Sequence, residues 1–248
     1  MKYPLLILIV CFSLSCSKNE DMKAQEIVDK AIAMAGGDRY SNSKIEFDFR
    51  DKNYCALRAE NDFKLERQSF SDTLVTTDIL TNSYFLRLEN EKQIALADTT
   101  RTKLSNSVNS VHYFSVLPYG LNDAAAKKTF LGEVRIKGQN YFKIEVTFGE
   151  EGGGTDFDDV FLYWINSETY LVDYLAYEFH VNGGGMRFRE AYNERVINGI
   201  RFVDYNNYKP IDPNVKLYDL DIEFEASKLE LLSKIELENV KVEECLSC

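Results

Sequence analysis

The sequence is poor in the residues from which reactive centres are most often built. Its 248 residues hold two histidines, His112 and His180, with one tryptophan, five cysteines and four prolines. No H-E-x-x-H helix, no G-x-S-x-G elbow and no glycine-rich loop opening a helix is present, which leaves no basis for a zincin, an α/β-hydrolase or a phosphate-cradling nucleotide fold. The glycine triplets at 152–154 and 183–185 join strand-like segments and read as hairpin turns. So little proline excludes a Pro-rich linker, and no apolar run reaches the roughly 20 residues that a spanning helix requires. Positive charge is scarce too, at 29 basic against 40 acidic residues, a net −11. Without a local basic patch that balance repels phosphate backbones and excludes a nucleic-acid partner. What remains is 45% hydrophobic and 13% aromatic, enough for a globular core without a metal or disulfide staple.

The N-terminus carries an address. Lys2 precedes an apolar run from Leu5 to Phe12, and Ser13, Leu14 and Ser15 lead into Cys16. A short apolar stretch ending in a small residue before cysteine is the arrangement of a lipoprotein signal peptide, with residues 1–15 removed and Cys16 acylated. The usual leucine three places before the cysteine is Ser13 here, with Leu14 one place late. Residues 16–21 then form the lipidated cysteine and a polar tether, and the expected location is the cell envelope, lipid-anchored to the outer membrane on its periplasmic face or the cell surface. Plain secretion with a cleaved signal is the alternative. Of the other thiols, Cys245 and Cys248 have C-x-x-C spacing at the very end of the chain, which suits a local disulfide in an oxidising compartment better than a redox helix or a zinc site.

Residues 22–248 read as one domain. Ala24, Ile27, Val28, Ala31 and Ile32 fall at helical spacing and Gly36-Gly37 stops the helix. Nearly everything after it has period two: Ile45, Phe47 and Phe49 alternate with charged residues, and about ten strands follow, separated by turn signals such as Asn198-Gly199. Residues 103–128 interrupt them as a short helical insertion. The fold class is therefore mostly β (α+β), an N-terminal helix leading a large, strongly curved antiparallel sheet or half-barrel. Parallel Rossmann and TIM-barrel architectures are excluded, because strands follow one another without crossover helices. Several strands are apolar on both faces, as in Val160-Phe161-Leu162-Tyr163-Trp164-Ile165, and a sheet of that kind must be covered on both sides.

Candidate site residues come from three clusters. Asp156, Asp158 and Asp159 could offer oxygen to calcium or magnesium, although the spaced ligands and terminal glutamate of a calcium loop are missing, and a solvated acidic turn is the simpler reading. Arg187 and Arg189 share one strand face and Arg201 opens the partner strand; clustered guanidiniums there either grip a carboxylate or phosphate headgroup or pair with Glu178, Glu190 or Asp204. Trp164, Tyr163, Tyr174 and Tyr177 belong to an aromatic-rich stretch that lines an apolar cavity or fills an ordinary core, and His180 lies two residues from Glu178, a spacing compatible with acid-base work.

Further segments carry a resemblance: Leu117-Pro118-Tyr119-Gly120-Leu121-Asn122-Asp123, Asp158-Asp159-Val160-Phe161, Asp173-Tyr174-Leu175-Ala176-Tyr177, Gly184-Gly185-Met186-Arg187-Phe188-Arg189-Glu190-Ala191 and Asn198-Gly199-Ile200-Arg201-Phe202. Together with Ala35-Gly36-Gly37 they resemble a family of uncharacterised Bacteroidota lipoproteins, domain of unknown function 6503. The order of elements is also similar, at the level of fold, to the lipoprotein-carrier half-barrels of outer-membrane lipoprotein sorting, a likeness that implies an acyl chain held in a concave face. The expected function is a non-catalytic envelope lipoprotein that binds a hydrophobic or amphipathic ligand, with no cofactor. Two alternatives stay open: a hydrolase or lyase built on His180, Glu178 and the Asp156–Asp159 turn, and a structural interaction module of the envelope.

Overall fold

The computed structural model describes residues 13–59, 62–149, 159–180 and 183–245. Asp156, Asp158 and Cys248 lie outside the described residues, as does the side chain of Cys16. Helix α1 (Ser13–Ala35) leads into strands β1 (Asn42–Phe49), β2 (Lys52–Ala59), β3 (Asp62–Phe70), β4 (Val75–Thr81), β5 (Phe85–Glu89) and β6 (Lys92–Ile94). Helix α2 (Asp98–Ser115) follows, then β7 (Ala126–Ile136), β8 (Gln139–Phe148), β9 (Val160–Asn166), β10 (Val172–Phe179), β11 (Gly185–Ile197) and β12 (Ile200–Pro210). Helix α3 (Leu220–Glu225), β13 (Leu229–Ile235) and β14 (Glu238–Glu244) complete the chain.

The fold is mostly antiparallel β, in accord with the period-two pattern, but among the described residues fourteen strands divide between two seven-stranded sheets and close no barrel. The first runs β14-β1-β2-β3-β4-β5-β6 and the second β13-β12-β11-β10-β9-β8-β7. The last two strands, β13 and β14, belong to different sheets. The chain leaves one sheet after Ile235 and enters the other at Glu238, and buried Asp204 holds the joint, accepting from the Leu237 backbone N–H at 2.9 Å and from Arg195 at 3.0 Å. Irregular register at Phe130/Gly132, Val172/Tyr174, Tyr192/Arg195 and Asn207/Tyr208 marks bulges that bend the second sheet.

Alternation decides what each face meets. On the second sheet Ile144, Val146, Tyr163, Ile165, Leu175, Val203 and Tyr205 point to one side, where Ala24, Ile27, Val28 and Ala31 of α1 cover part of them. The opposite side carries Tyr141, Leu162, Trp164, Tyr174, Ala176 and Phe188, buried under Leu217, Leu220 and Phe224 around α3. That covering segment accounts for strands apolar on both faces. On the first sheet Ile45, Phe47 and Tyr54 join Ile200 and Phe202 of the second in a cluster that locks the two together, and α2 lies over Ala56 and Leu65 through Val108.

The β11–β12 hairpin shows local chemistry fixing register. Asn198 and Gly199 have φ of 47° and 79°, the two positive values of a type I′ turn, and the Asn198 Nδ2 donates to the Val242 carbonyl at 2.5 Å. Gly199→Ala forces a β-carbon into the left-handed region and 2.7 Å from Arg39 Nε. A loss of about 1–2 kcal/mol in urea unfolding is expected, and an unchanged midpoint would contradict this account of the turn.

Candidate functional site

A cleft of about 640 Å³ lies between α2 and the uncovered part of the second sheet's inner face. Tyr177 and Phe179 of β10, Val203 and Tyr205 of β12 and Leu232 and Ile235 of β13 form its floor, while Val111 and Phe114 of α2 and Phe49 of β1 form its walls. Period two explains why these side chains meet: Tyr177 pairs with Arg187 and Phe161, Leu175 with Arg189 and Tyr163, and Ala191 with Tyr205, so all project to one side. Aromatic contacts continue across the cleft, with Phe114 5.6 Å from Tyr177 and Phe161 5.5 Å from Tyr177.

Charge in this apolar space has one sign. Among the described residues its charged lining is Arg50, Arg187 and Arg189, with no carboxylate. Arg189 is 8% exposed; its guanidinium lies 4.3 Å from the Phe114 ring and 5.1 Å from that of Tyr177. It donates to the Tyr177 hydroxyl at 2.9 Å, and its buried Nε has no partner among the described residues. Arg187 lies 5.0 Å from the Phe179 ring and donates to its neighbour's carbonyl, that of Met186, at 2.8 Å. Among the described residues none of the three arginines has an ion-pair partner, whereas Arg67, Arg87, Arg195 and Arg201 all do.

The other residues singled out from sequence go elsewhere. Tyr163 is fully buried beneath α1, and burial holds its hydroxyl well above the ordinary tyrosine range. Trp164 and Tyr174, one position out of phase with Tyr163 and Tyr177, face the opposite side; the Trp164 Nε1 donates to buried Asp221 at 3.3 Å, which also holds Lys143 at 2.9 Å. Arg201 is consumed in structure, donating to Glu194 at 2.7 Å, to the Val172 carbonyl at 3.0 Å and to Asp173 at 3.3 Å. His180 is exposed just beyond β10. Neither His180 nor Glu178 lines this cleft or two further surface clefts.

The thiols offer no nucleophile in the described part of the chain. Cys55 is free, with burial first and Glu66 second pushing its thiol up to about 11, the opposite of an activated cysteine. Cys245 is disulfide-bonded. Among the described residues no three His, Cys, Asp or Glu side chains converge as a metal site, and no helix is long and apolar enough to cross a membrane. Sequence reasoning did not reach Phe49, Arg50, Val111 and Phe114, which come to the cleft from the β1–β2 hairpin and α2. Val111 and Phe114, three apart on the insertion helix, were the available signal.

No curated protein sequence matches the chain. Among solved structures, an outer membrane lipoprotein-sorting protein domain from Vibrio parahaemolyticus is similar at 9% identity and a TM-score of 0.49, over 92% of this chain and 94% of that one. A LolA superfamily protein from Nitrosomonas europaea gives 15% and 0.47 over 88% and 92%, and a DUF1329 family protein from Desulfovibrio piger gives 13% and 0.40 over 90% and 95%. The family of unknown function DUF6503 matches residues 2–237, and the chain belongs to that family.

Proposed function

We propose that this protein is an envelope lipoprotein, anchored through acylated Cys16, whose residues 22–248 hold an amphipathic ligand with an anionic head in the cleft under α2, without catalysing a reaction on it. One observation carries the reading: in a chain of net charge −11 the described lining of the apolar cleft holds three arginines and no carboxylate. A structural arginine is ordinarily paired in the fold, as Arg201 is. An arginine kept unpaired beside aromatic rings has its charge available to a ligand. The volume falls within the roughly 300–1,000 Å³ of small-molecule sites, and the floor supplies the apolar contact that an acyl chain requires.

The chain purified from its native host without detergent should carry lipid, released by solvent extraction and detected by mass spectrometry as an acidic amphiphile. Empty protein, or only neutral lipid in amounts equal to those on an unrelated control, would remove the reading. The anchor is tested apart from the ligand: Cys16→Ser should move the protein from the membrane fraction to the soluble fraction, and unchanged retention would refute acylation at that residue.

A further inference from the structure

Helix α2 separates two different spaces. Ser110, Val111 and Phe114 face the cleft, while His112 and Tyr113 face a crevice of about 320 Å³ between the helix and the inner face of the first sheet. Arg58 of β2 lines that crevice. It is 7% exposed, its Nη1 is buried with no hydrogen-bond partner, and among the described residues no carboxylate comes within ion-pair distance. The Tyr119 ring lies 5.8 Å from its guanidinium. Burial lowers its pKa, with Tyr119 and Tyr40 acting the other way more weakly, so the fold itself does not compensate this charge.

The histidine beside it is also incompletely partnered. His112 is 1% exposed and pairs through Nε2 with the Glu66 carbonyl at 2.9 Å. A carbonyl only accepts, so Nε2 carries the proton and Nδ1 is an acceptor, buried and without a partner. Burial first, and then Arg58, depress the imidazole to about 3, so the ring is neutral. Asp62 and Asp123 line the same crevice from exposed positions, where they oppose a ligand charged negatively at both ends. An unpaired buried donor and an unpaired buried acceptor on one crevice describe a receptor for a group that accepts from arginine and can donate to imidazole.

We propose that this crevice is a second ligand site, separate from the cleft, which takes a small molecule bearing one carboxylate or phosphate. The oxyanion accepts from Arg58, the ligand's neutral body lies against Tyr119, and a hydroxyl or bridging water meets His112 Nδ1.

Calorimetric titration of the full chain with benzoate and with inorganic phosphate tests the site. With Arg187→Met and Arg189→Met as the background, so that the cleft's two headgroup arginines are gone, at least one probe should still bind with one-to-one stoichiometry in the millimolar range or tighter; adding Arg58→Met should weaken it by roughly 30-fold or more, and Arg58→Lys by less. That background keeps a failure here distinct from a failure of the cleft. If Arg58→Met does not fold, nitrogen NMR of His112 in the unsubstituted chain reports the same event, because a bound oxyanion beside Nδ1 must shift its resonance. Absence of binding by both probes at tens of millimolar, an affinity indifferent to Arg58→Met, or a His112 resonance unmoved by a probe that binds would each overturn the site and leave Arg58 a buried structural charge.

Discussion

Replacing Asp78 with alanine is expected to destabilise the protein by about 3–5 kcal/mol, the range for removing one member of a buried ion pair. Asp78, on β4 and 2% exposed, accepts from two arginines: Arg67 Nη2 at 2.6 Å and Nε at 3.2 Å, and Arg87 Nε at 2.6 Å and Nη2 at 2.9 Å. The hydrogen bond to Asp78 is the main reason the Arg87 pKa is raised. Without the carboxylate, two guanidiniums face each other across β4 with no anion between them. Arg67 also donates to Ser107 Oγ of α2 at 2.8 Å, so the loss reaches the helix that walls the cleft. Asp78→Asn should cost nearly as much, since it preserves shape and removes charge. Replacing all three residues by apolar ones of similar size should recover much of the loss, because desolvation and attraction largely cancel in such clusters. Denaturant unfolding at neutral pH gives the answer: a cost below about 1 kcal/mol would mean the cluster is solvated enough to behave as a surface pair.

Asp78 also shows why part of the fold was illegible. Strands whose inner positions are apolar, such as Ile45 and Phe47 of β1 or Phe161, Tyr163 and Ile165 of β9, announce themselves by alternation. In β4 the inner position is an aspartate amid Thr76 and Thr77, and no local pattern distinguishes a carboxylate clamped by two arginines from one in water. For the same reason β2 passed unread around Arg58. Helix α3 was missed although Leu217, Leu220 and Phe224 stand at i, i+3 and i+7, because six residues with four acidic or aromatic members look like a loop until the face they cover is known. At the site, period two put Arg187 and Arg189 together and set Trp164 apart from Tyr163. It could not say which face stays open, since that depends on where α1 stops covering the second sheet and where α2 begins. Arg201 shows the converse limit: its partner Glu194 is reached only because the register shifts between Tyr192 and Arg195.

Arg189→Met should weaken binding of an anionic ligand while leaving stability nearly unchanged. The substitution keeps an unbranched apolar stem against Phe114 and Tyr177; it loses the hydrogen bond to the Tyr177 hydroxyl but also removes a buried charge that has no ion-pair partner among the described residues, so the two effects should offset and leave stability within about 1 kcal/mol. For an anionic amphiphile such as a long-chain fatty acid, the same change removes a charged hydrogen bond worth about 1.5–3 kcal/mol, hence a fall in affinity of roughly 10- to 150-fold. Adding Arg187→Met should deepen the loss further, with some coupling because the two side chains share one strand face. A neutral amphiphile of equal chain length, such as a monoacylglycerol, should bind both forms alike, since its contacts are with the apolar floor alone. Displacement of a fluorescent acyl probe, run beside urea unfolding on the same preparations, separates these effects. A parallel loss of both ligands would make Arg189 a packing residue of the cleft wall, and a loss of stability without a selective loss of the anion would return it to the core. Selective loss of the anion from an equally stable protein is the result expected if the unpaired guanidinium is held in readiness for a ligand.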